Sequence, residues 1–150
     1  MSLGHAVAHE QHVRPDQVLL LRHSNSKVKS LLAAGGKVSE YTSVQPTDSI
    51  YDFLATGRPD IEVIAVIVND HLHGVFRVDG VEKVGTTRTL VSQAFRDWDA
   101  ALGYPERPAR RFLLAELPSK YKGRAVVGWS SPRHPVARYG HRMFDNAAAG

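Results

Sequence analysis

The sequence predicts an α+β domain with a curved, mostly antiparallel sheet or partial barrel of five to six strands. Two patterns support the sheet: a nearly continuous β-branched run over residues 61–69 and period-two alternation just after it. A third pattern, helical spacing of apolar residues over residues 87–102, predicts one long amphipathic helix beside short ones. We expect one domain over residues 18–144, between a flexible lead-in (1–17) and a flexible tail (145–150).

The first elements are short. Residues 18–23 (VLLLRH) are typical of a strand, and residues 24–36 predict a short helix that ends at Gly35 and Gly36. Residues 38–45 fit a helix or a strand, because their periodicity does not decide between the two. Another short helix is expected over residues 48–57.

The central segment predicts three consecutive strands. Residues 61–69 are apolar at seven of nine positions, as expected of a strand covered on both faces. A turn at Asn69 and Asp70 leads into a second strand over residues 72–78. Asp79 and Gly80 predict a second hairpin, because a type I′ turn needs two positive φ angles that these residues tolerate.

The amphipathic helix is expected to begin at Thr87 or Thr89 and to run to about Leu102, with Gly103 as its stop. Its apolar stripe faces the sheet, and Asp99 falls on the polar side together with other charged residues. Two more strands follow, over residues 111–116 and 124–129, with the turn-rich link LPSKYKG between them.

The charge of the chain is unevenly distributed along its length. Residues 1–70 carry six basic and eight acidic groups, whereas residues 71–150 carry thirteen and seven. The stretch 107–142 holds nine lysines and arginines against the single Glu116. Such a one-sided basic region is suited to a polyanion.

The cysteine content, the length of the apolar runs and the absence of catalytic motifs limit the possible classes of function. The chain has no cysteine, which excludes disulfides and thiolate metal sites and fits a cytoplasmic protein. No apolar run reaches the roughly 20 residues that a membrane helix needs, so no membrane partner is expected. The HExxH, GxSxG and Walker A motifs are absent, and no cofactor is predicted. We therefore expect the chain to be a binding protein and not an enzyme.

The best metal candidate is the predicted hairpin with Asp70, His71 and His73, since residues two apart on a strand project to the same side. It needs a further ligand from elsewhere in the fold, for which His23, Asp79 and His134 are the candidates. The alternative is a polar hairpin end without a metal.

The candidate nucleic-acid-binding residues form three basic segments late in the chain. Arginine and lysine would contact phosphates, and exposed tyrosines could stack on bases. The alternative is a solvated basic surface, with Trp129 in the core. The predicted phosphate contacts are Arg110, Arg111, Lys120, Lys122, Arg124, Arg133 and Arg138, and the predicted stacking residues are Tyr121 and Tyr139.

Three stretches, VLLLRH, VIVNDHLHGVFRVDGVEKVG and KYKGRAVVGWSSPRHPVARYG, occur in an order that resembles the N-terminal region of bacterial proteins of the GIY-YIG nuclease family. The resemblance spans residues 18–140 and implies an accessory, nucleic-acid-recognising domain of a defence or DNA-processing system. The nuclease module would lie beyond this region. Residues 74–76 (GVF) are similar to the GIY motif of the family, and residues 83–85 (KVG) are similar to its YIG motif. Only six residues separate the two segments, and the second has no tyrosine at its first position. The resemblance therefore carries no nuclease activity, and a separately encoded nuclease is one candidate partner.

The function predicted from the sequence is nucleic-acid binding, with DNA as the first expectation, through the basic C-terminal third of the chain. Two alternatives stay open. One is a small metal-dependent hydrolase centred on the hairpin over residues 70–73. The other is a protein-interaction module with an exposed strand edge; the sequence predicts no oligomeric state.

Overall fold

A computed structural model describes residues 3–47, 61–127, 136–137 and 146–147. Within these ranges the chain forms four α-helices and eight strands, which confirms the α+β class. None of the helices in these ranges combines the length and the apolar character needed to cross a membrane. The helices are α1 (Leu3–Gln11), α2 (Asn25–Ala33), α3 (Val38–Ser43) and α4 (Gln93–Ala101); the strands are β1 (Val18–His23), β2 (Val44–Pro46), β3 (Val63–Val68), β4 (His71–Thr86), β5 (Pro108–Leu117), β6 (Val126–Val127), β7 (Val136–Ala137) and β8 (Asn146–Ala147).

The sheet is mixed. Six strands follow the order β2-β5-β4-β3-β1-β7, and β6 pairs separately with β8. β3 runs parallel to β1, with Val63 opposite Val18, and antiparallel to β4, with Val63 opposite Arg77. All residues of β3 except Val68 are buried, which confirms the prediction of a strand covered on both faces.

The turn after β3 forms as predicted, but the second hairpin does not. Asn69 and Asp70 have φ angles of 53° and 54°, as a type I′ turn requires. Gly80 alone has a positive φ, of 138°, at the predicted second turn. One left-handed residue cannot reverse the chain in a type I′ turn, so β4 continues as a single strand of 16 residues.

The N-terminal residues differ from the flexible lead-in that the sequence predicted. They form α1, in which Leu3 and Val7 are fully buried. The spacing of these two residues places them on one helix face, and this face joins the core. In the predicted tail, Asn146 and Ala147 belong to β8 and pair with β6.

The amphipathic helix is shorter than predicted. Ser92 caps α4 through its hydroxyl, which accepts a hydrogen bond from the Phe95 amide. The expected start at Thr87 or Thr89 is wrong, because Thr89 forms a turn in which its hydroxyl accepts from the Thr86 amide at 2.8 Å. With nine residues, α4 is no longer than α1 or α2.

The outcome differs among three other segments whose secondary structure was predicted. Residues 38–45 contain both alternatives, since α3 ends at Ser43 and β2 begins at Val44. The strand predicted over residues 124–129 is described only as β6. The helix predicted over residues 48–57 lies outside the described residues.

The chain divides into two compact units. Unit 1 contains residues 1–24, 60–78 and 115–150, and unit 2 contains residues 25–59 and 79–114. The single domain predicted over residues 18–144 stays a prediction. Each unit has an apolar core of its own residues. The core of unit 1 contains Leu3, Val7, Ala8, Val18, Leu20, Val63, Ala65, Ile67, Leu72, Val75 and Val126; that of unit 2 contains Leu31, Val44, Leu90, Val91, Phe95, Trp98 and Ala109.

Candidate nucleic-acid interface

Residues 120–124, here called the basic turn, lie in unit 1 between β5 and β6. The turn brings together four of the predicted binding residues, Lys120, Tyr121, Lys122 and Arg124. Both lysines are exposed, and Arg124 is half-buried. Three cationic side chains thus project from five consecutive residues.

The ring of Tyr121 organises two of these cations. Lys120 Nζ lies 5.2 Å from the ring centroid and Arg124 Cζ lies 5.4 Å from it. Both distances are within the range of cation–π attraction. The ring is partly buried and packs against the core of unit 1. Tyr121 therefore orients two cations, a role that the sequence prediction of a base-stacking ring did not include.

Hydrogen bonds fasten the turn to the start of β4. The Gly123 amide donates to the Leu72 carbonyl at 2.7 Å, and the Leu72 amide donates to the Arg124 carbonyl at 2.9 Å. Gly123 has a φ of 87°, which an L-residue with a side chain adopts at a cost. Since Leu72 is a buried core residue, the backbone of the turn is hydrogen-bonded to the core of unit 1.

The other side of the turn is held by the end of α1. The Lys120 amide donates to Glu10 Oε2 at 2.8 Å, and Gln11 Nε2 donates to the Pro118 carbonyl, also at 2.8 Å. These two contacts join residues more than 100 positions apart in the chain. Main-chain groups of residues 118–124 therefore anchor the turn at both ends, and Tyr121 lies beside two of its three cationic side chains.

Lys122 has an acidic neighbour. Its Nζ atom lies 2.9 Å from Glu116 Oε2, and both side chains are more than half exposed. An exposed ion pair of this kind contributes at most about 1 kcal/mol. A phosphate group could therefore replace the carboxylate at little energetic cost.

The remaining predicted residues do not join this cluster in the described part of the chain. Arg110 and Arg111 lie on β5 within unit 2, opposite Gln45 and Val44 of β2. The Nε atom of Arg111 is 3.5 Å from Glu82 Oε2. Arg133, Arg138, Tyr139 and Trp129 lie outside the described residues.

The hairpin proposed as a metal site has other interactions. Asp70 Oδ1 is 3.3 Å from Arg22 Nη2, and His71 Nδ1 is 2.6 Å from the Asn69 carbonyl. His73 is exposed. Within the described ranges, no three histidine, aspartate or glutamate side chains are arranged to hold a metal ion. His134, one of the predicted further ligands, lies outside these ranges.

The sequence analysis missed the residues that position the turn. Glu10 and Gln11 were assigned to a loose lead-in, and Glu116 was noted only as an isolated acid. A local signal existed, because Leu3 and Val7 are spaced as on one face of a helix. No local signal connects α1 to a turn that lies more than 100 residues later.

Comparison of the chain with models of protein families, with curated proteins and with solved structures found no match. The resemblance to the GIY-YIG nuclease family therefore stays a prediction. The geometry of the basic turn is the basis for the proposal that follows.

Proposed function

We propose that the chain binds the phosphate backbone of a nucleic acid through the basic turn, with DNA as the first substrate to test. The observation that carries the proposal is the arrangement of Lys120 and Arg124 around the Tyr121 ring, with Lys122 beside them. Lysine and arginine are the usual partners of phosphate oxygens, and such contacts position a nucleic acid without reading its sequence.

The fixed backbone of the turn supports this role. A flexible loop would lose conformational entropy when its side chains became ordered on a ligand, by about 0.5–1.5 kcal/mol for each long side chain. The hydrogen bonds to Leu72 and Glu10 hold the backbone in place before any ligand arrives. Tyr121 restricts two of the cations in the same way. Part of the conformational entropy that binding would otherwise remove has therefore already been lost when the protein folds.

Salt dependence gives the direct test. Each phosphate contact to duplex DNA contributes about −0.9 to the slope of log affinity against log salt concentration, so three cations predict a slope between roughly −2 and −3. We expect the double variant Lys120→Glu with Lys122→Glu to weaken binding at least tenfold at low salt and to make the slope shallower by about 2. Fluorescence anisotropy with labelled single-stranded and duplex DNA and RNA measures both quantities.

A matched control separates the turn from the total charge. Lys29 and Lys83 are exposed lysines of unit 2, and replacing both with glutamate changes the net charge by the same amount. This control should bind within about twofold of the unaltered protein. Absence of binding at low salt, or equal losses in the two double variants, would show that the basic turn is not the interface.

The role of Tyr121 is tested separately. Tyr121→Phe keeps an aromatic face for the two cations, whereas Tyr121→Leu removes it. We expect the leucine variant to lose several-fold in affinity and the phenylalanine variant to bind normally, provided that circular dichroism shows both to be folded. If both variants bind normally, the ring does not position the cations.

A further inference from the structure

Unit 2 contains an open groove of about 580 Å³, and none of its lining residues belongs to the basic turn. This volume is within the range of sites that hold small ligands or short peptide segments. The lining comes from the segment after α2, from α3, from strands β4 and β5, and from the start of α4. The lining residues are Gly35, Lys37, Ser39, Glu40, Ser43, Glu82, Ser92, Ala94, Arg111, Phe112, Leu113 and Leu114.

The groove runs along the edge of β5. Four consecutive residues, 111–114, line it, although successive side chains of a strand point to opposite faces of the sheet. Consecutive residues border one groove where it follows the edge of a strand, and Glu82 of the neighbouring strand β4 adds to the lining. The groove therefore exposes main-chain groups of β5 as well as side chains.

The pairing of β2 with β5 shows which main-chain groups are exposed. The Thr47 amide donates to the Pro108 carbonyl at 2.9 Å, so alternate residues of β5 from Pro108 onward direct their main-chain groups toward β2. β2 begins at Val44, opposite Arg111. Beyond that point no strand in the described ranges pairs with this edge of β5. The amide and carbonyl of Leu114 therefore face the groove.

The charged groups of the groove leave one cation without a partner among the described residues. Glu40 accepts hydrogen bonds from both the amide and the hydroxyl of Ser92, and Glu82 pairs with Arg111. Lys37 is exposed at the start of α3, and its ammonium contacts no acidic group in the described ranges. An acidic ligand group would complement it.

We propose that this groove binds an extended peptide of a protein partner, which adds a strand to β5 at Leu114 and places an acidic side chain against Lys37. Strand addition derives affinity from main-chain hydrogen bonds and specificity from the alternate side chains of the peptide. The exposed side chain of Leu113 offers an apolar contact beside the main-chain pairing. The groove shares no lining residue with the basic turn, and this proposal does not depend on nucleic-acid binding.

The test starts from a phage-displayed library of random octapeptides selected on the full chain. We expect the enriched peptides to share one aspartate or glutamate within a run of alternating β-branched residues. A synthetic copy of the most enriched peptide should slow hydrogen exchange at the Leu114 amide. Methylation of alternate peptide nitrogens, which removes main-chain donors, should lower its affinity at least tenfold.

Charge variants complete the test. Lys37→Glu should lower the affinity of the enriched peptide at least tenfold, while Lys29→Glu, the same change outside the groove, should leave it within about twofold. The proposal is overturned if no peptide is enriched, or if binding survives nitrogen methylation. It is also overturned if the two lysine variants behave alike.

Discussion

At the scale of single residues, Asp99 shows how a tertiary partner changes the environment of a charge. The spacing of the helix placed this residue on the polar side of α4, but it is buried. Its Oδ2 atom lies 3.2 Å from Arg88 Nε, and Arg88 also donates to the Tyr104 carbonyl. A buried carboxylate is tolerated when a charged donor is held against it. Because Arg88 lies before the first residue of α4, the periodicity of the helix could not predict this ion pair.

This ion pair gives a stability prediction. Asp99→Ala leaves the guanidinium of Arg88 partly buried without its carboxylate, and we expect the free energy of unfolding to fall by on the order of 2 kcal/mol. Asp97→Ala removes an exposed aspartate from the same helix and should cost less than about 0.5 kcal/mol. Urea denaturation of the two variants measures the difference. Equal losses would mean that the pair with Arg88 adds nothing to stability.

At the scale of elements, β4 depends on the conformation of one glycine. Gly80 has a φ of 138°, and a Cβ atom added there would meet nothing within 4 Å. The requirement for glycine is therefore one of backbone conformation and not of space. Gly103, after α4, has a φ of 73°, in the left-handed helical region that asparagine also adopts.

The two glycines provide a matched comparison. We expect Gly80→Asn to lower the free energy of unfolding by about 1–3 kcal/mol, because a side chain strains this backbone conformation. Gly103→Asn should cost well under 1 kcal/mol, since asparagine is a common substitute at helix ends. Thermal and urea unfolding compare the variants. A tolerated substitution at Gly80 would show that β4 can adopt an ordinary extended conformation there.

Elements with a strong local pattern were predictable from the sequence. β1 agrees with its predicted bounds, and β3 lies within its predicted range, because runs of β-branched and leucine residues mark buried strands. The continuation of β4 through Asp79 and Gly80, where the sequence predicted a hairpin, was not predictable, because this residue pair fits either a turn or a strand with one unusual φ angle.

The candidate site was predictable only in part. Lys120, Tyr121, Lys122 and Arg124 are close in the chain, so their proximity followed from the sequence. The contacts that fix them, from α1 and from Leu72 of β4, depend on the tertiary fold. The division of the basic segments between two units could not be inferred from charge counts along the chain.

At the scale of the whole molecule, the two units carry similar charge. Unit 1 has nine basic and seven acidic residues, and unit 2 has ten and eight, so each has a formal net charge of +2. The basic character seen along the sequence is therefore not concentrated in one unit. The proposed interface rests on the local arrangement of the turn.

The separate cores predict a local response to cavities. Leu20 lies in the core of unit 1 and Leu31 in that of unit 2, and both are fully buried. Replacing either with alanine should cost about 2–5 kcal/mol. We expect faster amide hydrogen exchange mainly within the unit that carries the change, as local opening would produce. A uniform increase across both units for either variant would show that they open only together.

Helix α1 affects how the chain can be shortened. Because the sequence predicted a flexible lead-in over residues 1–17, a truncated protein that begins at Val18 would be a natural choice for binding experiments. That truncation would remove both Glu10 and Gln11, and with them the two contacts that hold the far side of the basic turn. It would also expose the apolar surfaces that Leu3 and Val7 cover. Weak nucleic-acid binding by the truncated protein would therefore reflect the loss of these two contacts and not the absence of a binding surface.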